Sequence, residues 1–192
     1  MSVTVEKCLQ AWSNSLRQMK AKADIVFFGD SLTFYGDFSN LFEGKTVCNL
    51  GLRGDTLQGL LNRVDQVRML NPNLVFLMAG INDVGMLSIK DFDSMYRSLV
   101  DTIQLELPGA QLIIQSILPV NSQFFHLSCN SDQIDACNKL IRHIALERQL
   151  VFMDIFSIYE ENGQLPYDAT RDGLHLTQDA YNRWYQAIKK IV

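Results

Sequence analysis

Hydrophobic positions along this chain follow two periods that take turns. Val5, Cys8, Leu9, Trp12, Leu16 and Met19 recur three to four residues apart and predict an amphipathic helix. Ile25-Val26-Phe27-Phe28 is then a short unbroken apolar run stopping at Gly29, the pattern of a strand buried on both faces. Runs of the same kind recur at Thr46–Leu50, Leu74–Ala79, Leu112–Ile117 and Leu150–Ile155. Helical stripes lie between them: Leu57, Leu60, Leu61, Val64 and Val67; Phe92, Met95, Leu99 and Ile103; Ile134, Cys137, Ile141 and Ile144. A last helix is expected to start at a Thr177 cap, with Asp179 in its first turn and Tyr181, Trp184, Tyr185 and Ile188 facing inward.

Strands alternating with helices predict a parallel sheet covered on both sides, because parallel neighbours need long crossovers. The fold class is therefore α/β: a three-layer α/β/α sandwich on a five-stranded parallel sheet, in the flavodoxin-like order 2-1-3-4-5. Pro108-Gly109 marks the turn before the fourth strand and Pro119 closes it. No linker breaks the pattern, so residues 1–192 are expected to form a single domain.

Composition narrows the classes. The 192 residues are 47% hydrophobic and 20% charged, the profile of a soluble domain that needs neither metal nor disulfides to fold. Seventeen Lys and Arg against twenty-one Asp and Glu leave a formal charge of −4, which argues against nucleic acid as a partner. The apolar runs fall well short of the roughly 20 residues of a membrane span, and the N-terminus lacks the apolar core of a secretory signal. Cys8, Cys48, Cys129 and Cys137 show no CxxC spacing and read as free thiols in a reducing, cytoplasmic setting. A homodimer stays open as the assembly.

Open parallel sheets bind ligands beyond the carboxyl ends of their strands. Four polar segments fall there: Gly29-Asp30-Ser31-Leu32, Asn49–Asp55, Gly80–Gly85, and Asp172-Gly173-Leu174-His175. Together they carry the parts for acyl transfer. Ser31 is a nucleophile that needs a base. His175 is that base, since an imidazole with an ordinary pKa of about 6.5 takes up and returns protons near neutrality. Asp172, three residues earlier, can fix the imidazole tautomer. The backbone N–H groups of Ser31 and Gly51 and the amide of Asn82 can form an oxyanion hole. Singly, each has a structural reading: Ser31 as a helix cap, Asn82-Asp83 as a turn, Gly51 and Gly54 as backbone-angle glycines. Their joint placement at strand ends is what argues for chemistry.

The four segments resemble the blocks of the GDSL, or SGNH, hydrolase family. Gly29-Asp30-Ser31-Leu32 matches the first block, Val47–Gly54 is similar to the second, Gly80-Ile81-Asn82-Asp83 matches GxND, and Asp172–His175 matches DxxH. The resemblance implies a serine esterase with Ser31 as nucleophile and Gly51 and Asn82 as oxyanion donors. It also implies a small-molecule ester as the partner and no cofactor. Leu32-Thr33 after Ser31 departs from the GxSxG elbow of the α/β-hydrolases.

Asp30 and Asp83 are expected to brace loops. Arg53 is expected to pair with Asp55 or Asp83 on the surface; if it faces the site instead, it would favour a substrate carboxylate or phosphate. Phe34, Tyr35, Val84, Met86, Phe124 and Phe125 are candidates to line an acyl slot. His143 reads as a surface or packing residue and His126 as incidental. No His falls in a metal-ligand spacing, so no metal site is expected.

The short stretch between the first two strands leaves little material for a lid. Similarity to compact carbohydrate acetylesterases and to the platelet-activating-factor acetylhydrolase type implies a short, acetyl-like acyl group. A lysophospholipase or thioesterase acting on longer chains is the alternative. A non-catalytic flavodoxin-like binding module is a third reading, weakened by the poor phosphate loop after the first strand and by the lack of Lys in Asp154–Ser157.

Overall fold

The computed structural model describes residues 22–124 and 129–191. The helix expected over Val5–Met19, Cys8, Phe125 and His126 lie outside them. Five strands, β1 (Ile25–Gly29), β2 (Val47–Gly51), β3 (Leu74–Met78), β4 (Gln111–Gln115) and β5 (Val151–Met153), form one sheet. Their order is β2-β1-β3-β4-β5, the flavodoxin-like order expected for five strands, and every pairing is parallel, as the alternation of strands and helices predicts.

β1 and β3 are buried at every position, which is why they read as unbroken apolar runs. The edge strands differ. β2 is only half-covered along most of its length, and Val151 of β5 is exposed, because each edge strand has a single neighbour. β5 is also shorter than the apolar run Leu150–Ile155. At Asp154 the chain leaves the sheet, and that carboxylate accepts the Ser157 N–H at 3.0 Å to start a short helical turn.

Helices cover the sheet: α1 (Ser31–Phe34), α2 (Leu57–Leu61), α3 (Val64–Leu70), α4 (Ile89–Glu106), α5 (Ser131–Glu147), α6 (Phe156–Tyr159) and α7 (Gln178–Ile188). The stripe Leu57–Val67 belongs to two helices, α2 and α3, because the chain breaks at Arg63, whose side chain turns inward beneath β1 and β2. In α4 the inward face holds Tyr96 and Val100 with Phe92, Leu99 and Ile103, leaving Met95 half-covered. Thr177 caps α7 by accepting the Ala180 N–H, and Tyr181, Trp184, Tyr185 and Ile188 are buried as expected.

Register fixes the working edge. Gly29 lies opposite both Gly51 and Met78, so β1, β2 and β3 end level with one another. Ser31, the loop 52–55 and the loop 80–85 therefore emerge side by side. Gly51 tolerates no side chain: a Cβ there would stand 2.2 Å from the Phe34 backbone nitrogen, so α1 lies directly on the end of β2. Tyr181 Oη donates to Leu32 O at 2.6 Å and ties α7 to the same corner.

Candidate active site

Ser31 opens α1 immediately after β1. Asp30 supplies the cap: its Oδ1 accepts the Leu32 N–H at 2.9 Å. The Ser31 N–H then has no acceptor among the described residues and points from the first turn of the helix. The Ser31 hydroxyl reaches across the fold. His175 Nε2 lies 2.9 Å from its Oγ, 144 residues away in sequence.

The loop ahead of α7 fixes that imidazole. Asp172 Oδ2 sits 2.7 Å from His175 Nδ1, while its Oδ1 accepts the backbone N–H groups of Leu174 at 3.1 Å and His175 at 2.8 Å. Partial burial pushes the Asp172 carboxyl up, but the ring and the two backbone donors outweigh it and hold the group below the ordinary carboxylate value. Carboxylate, imidazole and hydroxyl thus form one unbroken line. From Asn121 outward the loop is braced as well, since the Asn121 N–H donates to Gly173 O at 2.7 Å.

Asn82, half-buried after β3, donates through Nδ2 to Asp55 O at 2.8 Å. One amide hydrogen remains for a ligand. Gly51 behaves otherwise than expected. Its N–H donates to Asn49 Oδ1 at 2.8 Å, within a turn whose Asn49 amide also holds Thr33 O and Gly36 O. That donor is engaged. Gly54, in the same loop, has φ +70° and nothing within 4 Å of its Cβ direction, and its N–H meets no acceptor among the described residues. The Asn82 bond to Asp55 O draws the peptides around Gly54 alongside the Asn82 amide. A glycine followed by Asp55, whose side chain turns inward, was the overlooked signal.

Beneath these loops lies a buried charge cluster. Arg63 donates through Nε to Asp55 Oδ2 at 2.7 Å, through Nη1 to Leu50 O at 2.8 Å and through Nη2 to Gly29 O at 3.0 Å, binding the ends of β1 and β2 to the loop between them and α2. Asp83 Oδ2 accepts the Leu57 N–H at 3.0 Å. Asp30 and Asp83 thus brace backbone, as their positions suggested. Burial, reinforced by the neighbouring carboxylates, raises Asp30 to about 7. Burial likewise raises Asp83 to about 6, against the pull of the Leu57 N–H. Arg63 lies within an apolar helical stripe, and nothing in that pattern marks it as serving this loop.

Arg53 does not pair with Asp55 or Asp83. Arg63 and the Leu57 N–H occupy those carboxylates, and the exposed Arg53 guanidinium lies 5.7 Å from the centroid of the Tyr35 ring. That ring meets the His175 ring edge-on with centroids 5.3 Å apart, and Phe34 meets Tyr35 at 5.2 Å with about half its surface exposed. The remaining slot candidates diverge. Val84 is buried and lines a cleft of about 310 Å³ with Leu87, Phe92, Ala136 and Cys137, away from Ser31 and His175. Met86 is largely exposed, and the Phe124 ring meets Tyr167 at a tilt of 51° with centroids 5.0 Å apart. His143 pairs with Glu147 on the surface of α5. Among the described residues no three His, Cys, Asp or Glu side chains converge to hold a metal ion, and no helix is long and apolar enough to cross a membrane.

Comparison with known proteins adds a family. The profile described as the GDSL-like lipase/acylhydrolase family matches residues 27–183. Among curated proteins, an N-acylneuraminate cytidylyltransferase of Streptococcus agalactiae is 24% identical over 165 residues, covering 85% of this chain but only 37% of that protein. Among solved structures, one from Streptococcus pneumonia, provisionally described as a platelet activating factor, superposes with a TM-score of 0.82 at 24% identity. It covers 100% of this chain and 99% of that one. An acetyl xylan esterase, AlAXEase, superposes with a TM-score of 0.75 at 19% identity, covering 88% of this chain and 98% of its own.

Proposed function

The chain belongs to the GDSL-like lipase/acylhydrolase family and is an ester-bond hydrolase, and from that premise we propose a serine esterase that removes a short acyl group, acetyl first, from a small molecule or carbohydrate. The observation that carries the proposal is the line from Asp172 through His175 to Ser31, with separations of 2.7 and 2.9 Å.

Ser31 Oγ attacks the ester carbonyl carbon while His175 Nε2 takes its proton. The Asp172 carboxylate steadies the imidazolium that forms. Negative charge gathers on the former carbonyl oxygen and is met by the Ser31 N–H and the second Asn82 amide hydrogen. Gly54 supplies the third donor in place of Gly51, whose N–H Asn49 already holds. The intermediate collapses, the C–O bond to the alcohol breaks, and His175 returns the proton to the departing oxygen. Water, deprotonated by the same imidazole, then releases the acid and restores Ser31.

Tyr35, packed edge-on against the His175 ring, stands beside the imidazole on the side where the alcohol departs. The activity of the acetyl xylan esterase that shares the fold is consistent with acetyl. The curated relatives are named N-acylneuraminate cytidylyltransferases. This chain spans about a third of their length, so a sugar substrate is the part of their chemistry we carry over. Free thiols at Cys48, Cys129 and Cys137 favour a reducing compartment such as the cytoplasm.

A chain-length series of p-nitrophenyl esters tests the reading. kcat/KM is expected to be highest for acetyl and to fall from butyryl upward. A maximum at octanoyl or longer would replace the proposal with a lysophospholipase or thioesterase, and no turnover of any ester would remove it.

A further inference from the structure

Most arginines of this acidic chain find a carboxylate. Arg63, Arg68, Arg97, Arg142, Arg148 and Arg183 each lie within ion-pair distance of one. Arg53 and Arg171 do not, among the described residues, although acidic residues outnumber basic ones in the chain. Both are exposed, and both lie against the same ring: their guanidinium carbons stand 5.7 and 5.4 Å from the Tyr35 centroid. Tyr35 is in turn the ring that touches His175.

Neither position looks accidental. Arg171 Nε donates to Leu176 O at 2.9 Å, which fixes the guanidinium and leaves its terminal nitrogens without an acceptor among the described residues. Arg53 is held over the ring by a cation–π contact rather than an ion pair. The nearby carboxylates are spoken for: Asp55 by Arg63, Asp83 by the Leu57 N–H, and Asp172 by His175 and two backbone donors. Two unneutralised guanidinium groups beside one catalytic imidazole make an anion-binding surface.

We propose that Arg53 and Arg171, arranged about Tyr35, bind a carboxylate or phosphate on the alcohol part of the substrate. This rests on the esterase reading, which also assigns the side. His175 protonates the departing alcohol oxygen, so the alcohol lies on the imidazole side of the scissile bond, where Tyr35 and the two arginines stand. The substrate class is thus an acylated anionic compound, such as an acidic sugar or a sugar phosphate.

Four acetyl esters test this: p-nitrophenyl acetate, a mono-acetylated methyl glucoside, the matching methyl glucuronide, and mono-acetylated glucose 1-phosphate. At least one anionic sugar ester is expected to exceed the neutral glucoside by about tenfold in kcat/KM, the scale of one charge-assisted hydrogen bond. Whether glucuronide or phosphate leads identifies the anion. In Arg53→Gln, a site whose side chain makes no hydrogen bond or ion pair among the described residues, and in the Arg53→Gln/Arg171→Gln pair, the charged-to-neutral ratio is expected to fall toward one, through KM. Arg53→Lys should restore part of it. Equal rates on charged and neutral sugars, or a preference that survives both substitutions, would overturn the proposal while leaving the esterase intact. If wild-type protein turned over none of the four, the esterase reading would fail separately. Calorimetric titration with glucuronate and glucose 1-phosphate would then decide the anion site: binding lost in the double variant supports it, and no binding refutes it.

Discussion

Arg63 Nε meets Asp55 Oδ2 across 2.7 Å with both side chains only 4% exposed. The remaining guanidinium nitrogens hold Leu50 O and Gly29 O, so one side chain fastens the ends of two strands to the loop that carries Gly54. Burial opposes the charge on each partner, pushing Asp55 up and Arg63 down, while their mutual attraction works against both shifts. Such a pair adds little net stability over apolar packing, but it is costly to halve.

Arg63→Ala is therefore expected to destabilise the fold by roughly 3–5 kcal/mol, leaving Asp55 buried without a partner. Urea unfolding measures it. A loss below about 1 kcal/mol would mean that the cluster is solvated and does not organise the strand ends.

Asn82→Ala removes the amide proposed to meet the oxyanion. kcat should drop by about 10²-fold or more with KM little changed, because the contact forms fully only in the transition state. The lost bond to Asp55 O should cost stability as well, about 1 kcal/mol. A change confined to KM would reassign Asn82 to substrate binding.

Gly54→Ala has room for its methyl group but must hold φ at +70°, a strain of roughly 1–2 kcal/mol. If the Gly54 N–H meets the oxyanion, any tilt of that peptide should lower kcat by more than the stability loss predicts. Steady-state kinetics well below the melting temperature reads this out. Unchanged kcat in a variant whose Tm has fallen would show that the Gly54 peptide takes no part.

Asp30 and Asp83 give the stability a pH signature. Folded, they titrate near 7 and near 6; unfolded, a carboxyl titrates near 4. Between those values the folded chain holds protons that the unfolded chain has lost, so these groups make stability decline as pH rises from about 4 to about 7. Asp30→Asn keeps an oxygen for the Leu32 N–H and cannot ionise. Its stability relative to wild type is expected to improve steadily from pH 5 to pH 7.5 in urea titrations. A difference that stays constant with pH would contradict the buried, proton-holding Asp30.

Much of this architecture is legible in the residues. Unbroken apolar runs marked β1 and β3 because both are covered on both faces, and Thr177 announced α7. The edges were harder. β5 is three residues long within a longer apolar run, because the chain leaves the sheet at Asp154, whose side chain accepts the Ser157 N–H of the next turn. At the site, Ser31, Asn82, Asp172 and His175 stood out since their chemistry and spacing carry information. Gly51 was misleading because a side-chain acceptor two residues earlier takes its N–H, a local turn that spacing alone does not encode. Arg63, Arg171 and the placing of Arg53 over Tyr35 depend on contacts between distant segments, and no periodicity records those.

The central claim is that the Ser31 oxygen carries the acyl group. The most direct measurement is turnover of p-nitrophenyl acetate by Ser31→Ala, alongside a melting curve to establish that the variant is folded. The Asp172–His175–Ser31 line predicts a fall in kcat of at least about 10³-fold at an essentially unchanged Tm. Wild-type turnover by a folded Ser31→Ala protein would contradict it.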